Sequence, residues 1–243
     1  MNKSLLFNNK TPIFALIASA GIGRRMHLNY PKQYYKIFGK TIVEHTLNIF
    51  LKNHRILKII VVLNKNDSFF KKLSISNNQK IKTVIGGKRR SDSVFLGLEY
   101  LYKYLKIKQA WVLVHDVVRP CLSQLDLNRI IKLIDKKSFV HGGLLAIKVI
   151  NTLKFTFRQT LKVSHTINRS QTWHALTPQF FPLILIRNCL KRVLKNKIII
   201  TDESEALEFC GYHPKLLKGE IKNLKITTPE DLILARFYLS SIL

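Results

Sequence analysis

Acidic residues are scarce in this chain: 14 Asp and Glu stand against 41 Lys and Arg in 243 residues, a formal charge of +27. Such a balance suits anionic partners: nucleic acid, an anionic membrane, or small phosphorylated molecules. No compact basic block with interleaved aromatics occurs, however, and the lysines are spread along the whole chain beside many Ile and Asn. That dispersal fits a solvated lysine-rich surface better than a dedicated nucleic-acid face, so a basic nucleic-acid binder is kept only as a remote alternative. No apolar run approaches the ~18–20 residues that span a bilayer, which excludes a spanning helix. The three cysteines, Cys121, Cys189 and Cys210, are odd in number, far apart and in no metal-ligand spacing. They exclude a disulfide framework and a zinc site, and suggest reduced thiols in the cytoplasm. Internal repeats, linkers and low-complexity tracts are absent too, so residues 1–243 are expected to form one domain. The segment "IFALIASAG" (13–21) resembles a short signal sequence, but Asn8, Asn9, Lys10 and Pro12 precede it and Arg24 and Arg25 follow it. Cleavage there is not expected.

What is present alternates. "IFALIA" (13–18), "ILKIIVVL" (56–63), "IKTVI" (81–85) and "AWVLVH" (110–115) are continuous apolar, β-branched runs, as in strands buried on both faces. Between them, 41–53 and 91–105 carry apolar residues at helical spacing, the second with Ser91 as its expected cap. This predicts βαβ units and a mostly parallel α/β sheet flanked by helices. Residues 144–167 alternate apolar and polar around a turn near Arg158 and Gln159, which predicts a long hairpin serving as a sheet edge or as an arm on a second subunit. At 227–243, Thr228, Pro229, Glu230 and Asp231 start a helix.

The chemistry gathers at expected strand ends, where open parallel sheets bind ligands. The loop after the first strand, "ASAGIGRRM", has Gly21 and Gly23 but Met26 where a dinucleotide fingerprint has its third glycine, and no Walker A lysine. What it does carry is two cations, Arg25 and, behind Pro31, Lys32. Cations beside backbone donors suit a triphosphate under attack at its α-phosphorus, although a solvated basic loop has the same composition. In "WVLVHDVVRP" (111–120), Asp116 ends a buried strand. It is read either as a Mg²⁺ ligand or as the partner of Arg119, with His115 a packed structural residue. In "VIGGKRRSDSV" (84–94), glycines and a helix start could read a base edge, or simply connect a strand to a helix. Arg169, Thr177, Thr201 and Lys225 have surface readings when taken singly.

In order along the chain, "ASAGIGRRM…PKQY", "GGKRRSDSV", "WVLVHDVVRPC", "WHALTPQFFP", "ITDESEALEFCGYHP" and "NLKITTPEDL" resemble the 2-C-methyl-D-erythritol 4-phosphate cytidylyltransferase family from about residue 13 to 239. The resemblance implies a Rossmann-like fold whose β-arm, at about 149–168, crosses to the second subunit of a homodimer. It implies CTP and methylerythritol phosphate as substrates and Mg²⁺ as cofactor, with no nucleic acid or membrane partner. On matching positions it implies Arg25 and Lys32 as transition-state stabilisers and Asp116 as metal ligand. Ser19, Ala20, Gly21, Gly23, Gly87, Ser93 and Asp116 would lie around the nucleotide. Arg169 and Lys225 would hold the acceptor phosphate, with Thr152, Thr177 and Thr201 nearby. Another polyol phosphate acceptor, such as ribitol 5-phosphate, is the near alternative. Ser19 replaces a usual alanine, Val117 and Val118 replace an alanine pair, and Lys88 stands where an acid often sits.

Overall fold

The computed structural model describes residues 11–21 and 29–241. Its centre is a seven-stranded sheet. In chain order its strands are β1 (Ile13–Ser19), β4 (Ile56–Leu63), β5 (Ile81–Ile85), β6 (Trp111–Asp116), β7 (Gly143–Lys148), β10 (Trp173–Pro182) and β11 (Lys215–Lys218), arranged β11-β7-β10-β6-β1-β4-β5. Small pairs β2 (Lys36–Ile37) with β3 (Lys40–Thr41), and β8 (Leu153–Thr156) with β9 (Val163–Ile167), lie outside it. The sheet is mostly parallel, β10 alone running against its neighbours β6 and β7.

The apolar runs of β1, β4 and β6 follow from layering, whereas β5, expected to be buried on both faces, is an edge strand with Lys82, Thr83 and Ile85 exposed. In β1, Ile13, Ala15 and Ile17 point into one core, with α1 (Ile42–Leu51), α3 (Gln124–Ile131) and α6 (Pro229–Ser240) packed on it. Phe14 and Leu16 point into the other, beneath α2 (Arg90–Glu99), α4 (Leu183–Lys195) and α5 (Glu203–Phe209). A strand covered on both faces has no polar side to show. Among the described residues no helix is long and apolar enough to cross a membrane.

Local chemistry sets the helix starts. Thr41 Oγ1 accepts from the Glu44 N–H at 3.3 Å and the Glu44 carboxylate accepts from the Thr41 N–H at 2.8 Å, a capping box for α1. α2 begins one residue before the expected Ser91 cap, because the Asp92 carboxylate reaches back to the Arg89 N–H at 3.0 Å and makes residue 89 the boundary. It ends at Glu99 and widens into a π-helical turn over Tyr100–Tyr104. Asp231 accepts from the N–H groups of Thr227 (2.8 Å) and Thr228 (2.9 Å), starting α6.

α2 lies against the sheet at Gly97, where a Cβ would fall 2.6 Å from Leu16 Cδ1 and 3.0 Å from Val62 Cγ2. Gly97→Val is therefore expected to cost about 1–3 kcal/mol through overpacking, read as a lowered urea midpoint at unchanged slope.

The segment 144–167 is not one hairpin. Leu144, Leu145 and Ala146 are all buried, since β7 runs inside the main sheet between β11 and β10. Three consecutive apolar residues mark burial on two faces, where a hairpin with one wet face alternates. Only β8 and β9 form the arm, with Gln159 at φ 63° in its turn. Phe155, Phe157 and Val163 are more than half exposed, and Leu161 is 98% exposed.

Candidate active site

A cleft of about 300 Å³ opens at the carboxyl ends of β1 and β6, where Ala18 pairs with Asp116 across the parallel ladder. Here β1 has β4 on one side and β6 on the other, so the chain departs in opposite directions and leaves a crevice between the loops. Ala18, Ala20 and Gly21 form one wall, Gly87 to Arg90 and Ser93 another, and Lys32, Gln33 and Lys225 the rim, over Asp116, Val117 and Val118.

Each wall is tied to the sheet. Gln33 Nε2 donates to the Ser19 carbonyl at 3.1 Å, bringing Lys32 beside the end of β1. The Gly86 N–H donates to Leu63 O at 2.7 Å, and a Cβ at Gly86 would meet Ser93 Oγ at 2.7 Å and Ala20 Cβ at 2.9 Å. Glycine is needed there to bring the second loop against the first. Ser93 Oγ accepts from the Gly87 N–H (3.1 Å) and donates to Arg89 O (3.0 Å), closing the turn. The segment carrying Lys225 is tied to β10 and to the chain just past β6. The Asn223 side chain donates to Thr177 O (2.7 Å), Arg119 donates to Asn223 O (2.8 Å), and the Ile226 N–H donates to Val118 O (2.9 Å). Lys32 Nζ then donates to Ile226 O at 2.6 Å, joining the two lysine segments.

Asp116 is the charge centre of the cleft. Its Oδ1 lies 2.9 Å from Arg90 Nε; its Oδ2 lies 2.9 Å from Lys225 Nζ and 3.6 Å from Arg119 Nε. Burial pushes its carboxyl upward, but Arg90, Lys225 and Arg119 together hold it far below the usual carboxylate range. Of the two sequence readings of Asp116, the pairing with Arg119 is present, though Arg119 is the most distant of the three cations. His115 is buried, and burial pushes its imidazole down to about 3. Beside the Arg119 carbonyl (3.3 Å) its Nε2 must be the donor, so Nδ1 accepts from the Thr177 hydroxyl at 2.9 Å. The same hydroxyl oxygen accepts from the Asp116 N–H at 3.2 Å, fixing the strand end on which the carboxylate stands.

Of the residues singled out in the sequence, the structure brings Ala20, Gly21, Lys32, Gly87, Ser93, Asp116 and Lys225 to this cleft. Gly23 and Arg25 lie outside the described residues. Ser19 ends β1 but is buried and absent from the lining, while Thr177 is buried behind Asp116. Thr201 is exposed and bonded to Glu205 at 2.8 Å, also outside the lining. Thr152 and Arg169 stand at the base of the arm, where Arg169 donates to Ile150 O, again away from the cleft lining.

Sequence reasoning missed Arg90, which bonds Asp116 and also the wholly buried Glu203. No local signal marked it, because Arg90 follows Lys88 and Arg89 and its buried partner lies 113 positions away. Among the described residues no three His, Cys, Asp or Glu side chains converge as metal ligands. Among the described residues, Asp116 is the sole carboxylate lining the cleft. One ionised carboxylate fits an ion of the magnesium kind, which keeps several waters and completes its shell with phosphate oxygens.

Known proteins share this sequence pattern and fold. A sequence model of the family described as IspD: 2-C-methyl-D-erythritol 4-phosphate cytidylyltransferase matches residues 13–241. A protein of that name from Buchnera aphidicola subsp. Schizaphis graminum is 48% identical over 239 residues, spanning 98% of each chain. Another, from Photorhabdus laumondii subsp. laumondii, is 47% identical over 240 residues, again 98% of each. The crystal structure of the Francisella tularensis enzyme of that name superposes with a TM-score of 0.81 at 32% identity, over 94% of this chain and 100% of that one.

Proposed function

The chain belongs to the 2-C-methyl-D-erythritol 4-phosphate cytidylyltransferase family and is a CTP-dependent nucleotidyltransferase acting on that sugar phosphate, and we propose that the cleft around Asp116 is where the transfer takes place. The observation that carries this is the convergence of Arg90 and Lys225 on one ionised carboxylate, with Lys32 lining the same cleft, at the crevice between β1 and β6.

The triphosphate lies along the loop after β1, where Ala20 and Gly21 offer backbone N–H groups and Arg25 and Lys32 supply charge. The cytosine faces the turn from Gly87 to Ser93. A phosphate oxygen of methylerythritol phosphate attacks the α-phosphorus in line. One O–P bond forms as the bond to the β-phosphate oxygen breaks, and pyrophosphate leaves. At neutral pH that oxygen is already ionised, so no side chain need remove a proton. Catalysis is positioning plus neutralisation of charge on the nonbridging oxygens. Asp116 would hold Mg²⁺, which supplies Lewis-acid charge to the phosphates. Lys225 reaches the incoming phosphate, with Lys32 closing the rim.

The arm completes the reading. Thr152 and Arg169, at its base, serve the cleft of a second copy, Thr201 lies near the acceptor, and the exposed Phe155, Phe157 and Leu161 are the apolar surface that partner covers. Residues 1–243 then act as one nucleotidyltransferase domain per subunit of a homodimer.

Pyrophosphate release from CTP, UTP, ATP and GTP, each with methylerythritol phosphate or ribitol 5-phosphate, tests the function. Release is expected with CTP and methylerythritol phosphate only; release without an acceptor, or with ribitol phosphate alone, contradicts it.

A further inference from the structure

Arg90 is the first residue of α2, and its side chain reaches two carboxylates from different parts of the chain. Nε donates to Asp116 Oδ1 at 2.9 Å. Nη1 and Nη2 donate to Glu203 Oε1 and Oε2 at 2.5 and 3.0 Å, a two-pronged fork. Building on the placement of the metal at Asp116, we propose that Arg90 and Glu203 form a positioning clamp that commits Asp116 Oδ1 to the protein and leaves Oδ2 to exchange its partner for the metal ion.

Three observations support the clamp. First, Glu203 is 0% exposed, an expensive place for a carboxylate unless a cation matches it, in a chain with only 14 acids. Second, its two chain neighbours are held by one side chain. Gln179 Nε2 donates to Asp202 Oδ2, and the Ser204 N–H donates to Gln179 Oε1, each at 2.9 Å. Gln179 is itself fully buried on β10, antiparallel to the strand that ends in Asp116, so one strand indexes Glu203 to Asp116. Third, the two oxygens of Asp116 have unequal partners. The Arg90 side chain is anchored by a buried acid, whereas that of Lys225 is 40% exposed at the cleft rim and free to turn toward a phosphate. Arg119 Nε, at 3.6 Å, makes no hydrogen bond and adds only charge.

The clamp predicts a defect that a filler role would not produce. Without the Glu203 charge, the Arg90 fork is released and can close on both oxygens of Asp116, competing with the metal at Oδ2. With lysine at position 90, one ammonium cannot span both carboxylates, and Asp116 loses its fixed orientation.

The test is Mn²⁺ binding, followed by electron paramagnetic resonance on the full chain with CTP and no acceptor, with folding checked by circular dichroism. Glu203→Gln and Arg90→Lys are each expected to raise the Mn²⁺ dissociation constant about 10-fold or more, and Glu203→Asp to restore most of the Glu203→Gln loss. Should Asp116→Asn weaken Mn²⁺ binding while folded Glu203→Gln and Arg90→Lys proteins bind it within twofold of wild type, the clamp is refuted and the metal assignment stands. Should Asp116→Asn itself leave Mn²⁺ affinity unchanged, the assignment falls and takes the clamp with it.

Discussion

Asp116→Asn is expected to lower kcat by about 10²–10³-fold or more while leaving a folded protein. The substitution keeps shape and removes one charge. Three cations then face one another around a neutral amide: Arg90 and Lys225, each 2.9 Å from the lost charge, and Arg119 at 3.6 Å. Two consequences separate in measurement. Activity falls because the one carboxylate able to take a metal at the phosphates is gone. Stability falls far less, by about 1–3 kcal/mol, because Arg90 keeps its fork on Glu203 and the half-exposed Lys225 can turn to water. Turnover across a wide Mg²⁺ range, with urea unfolding on the same preparation, reads both. A variant within a few-fold of wild-type turnover would remove Asp116 from the mechanism.

Lys32→Ala is the second large effect. Lys32 Nζ donates to Ile226 O at 2.6 Å beside Lys225, at the mouth of a cleft with Asp116 on its floor. If the lysine stabilises charge that grows on the α-phosphate only as the bonds exchange, its loss appears in kcat and not in CTP affinity. The expectation is a fall in kcat of about 10²–10³-fold, with the KM for CTP changed by under tenfold. Steady-state kinetics at saturating acceptor decide it. A large rise in KM with kcat intact would make Lys32 a simple anchor for the triphosphate. Arg25→Ala belongs in the same experiment.

Much of the sheet was readable in the sequence for one physical reason: β1, β4 and β6 are covered on both faces, so their runs are almost wholly apolar. The same reason explains the error at 144–148, where an equally continuous run was merged with the alternating arm that follows. At the site, Asp116 was readable because a carboxylate closing a buried strand is costly and therefore conspicuous. Arg119, three positions on, was readable too, but Arg90 and the acid behind it were not. Glu203 lies 113 positions from Arg90, and Asn223, which places the Lys225 segment, lies 46 from Thr177. Such pairings come from strand order, which local pattern does not encode, and a lone Arg90 beside Arg89 and Lys88 looks like solvated surface. Thr177 shows the converse: its place near the chemistry was expected, yet it works behind Asp116, holding the strand end and the neutral His115.

The central claim is that positioning and charge alone drive a single in-line displacement, with no side chain of the cleft bonded to phosphorus along the way. The stereochemical course at phosphorus tests it most directly: CTP made chiral at the α-phosphorus by one sulfur substitution, turned over once, and the product's configuration determined by ³¹P resonance. One displacement inverts the centre, and inversion is the predicted result. Retention would require two displacements through a cleft nucleophile such as Ser93, and would contradict the account.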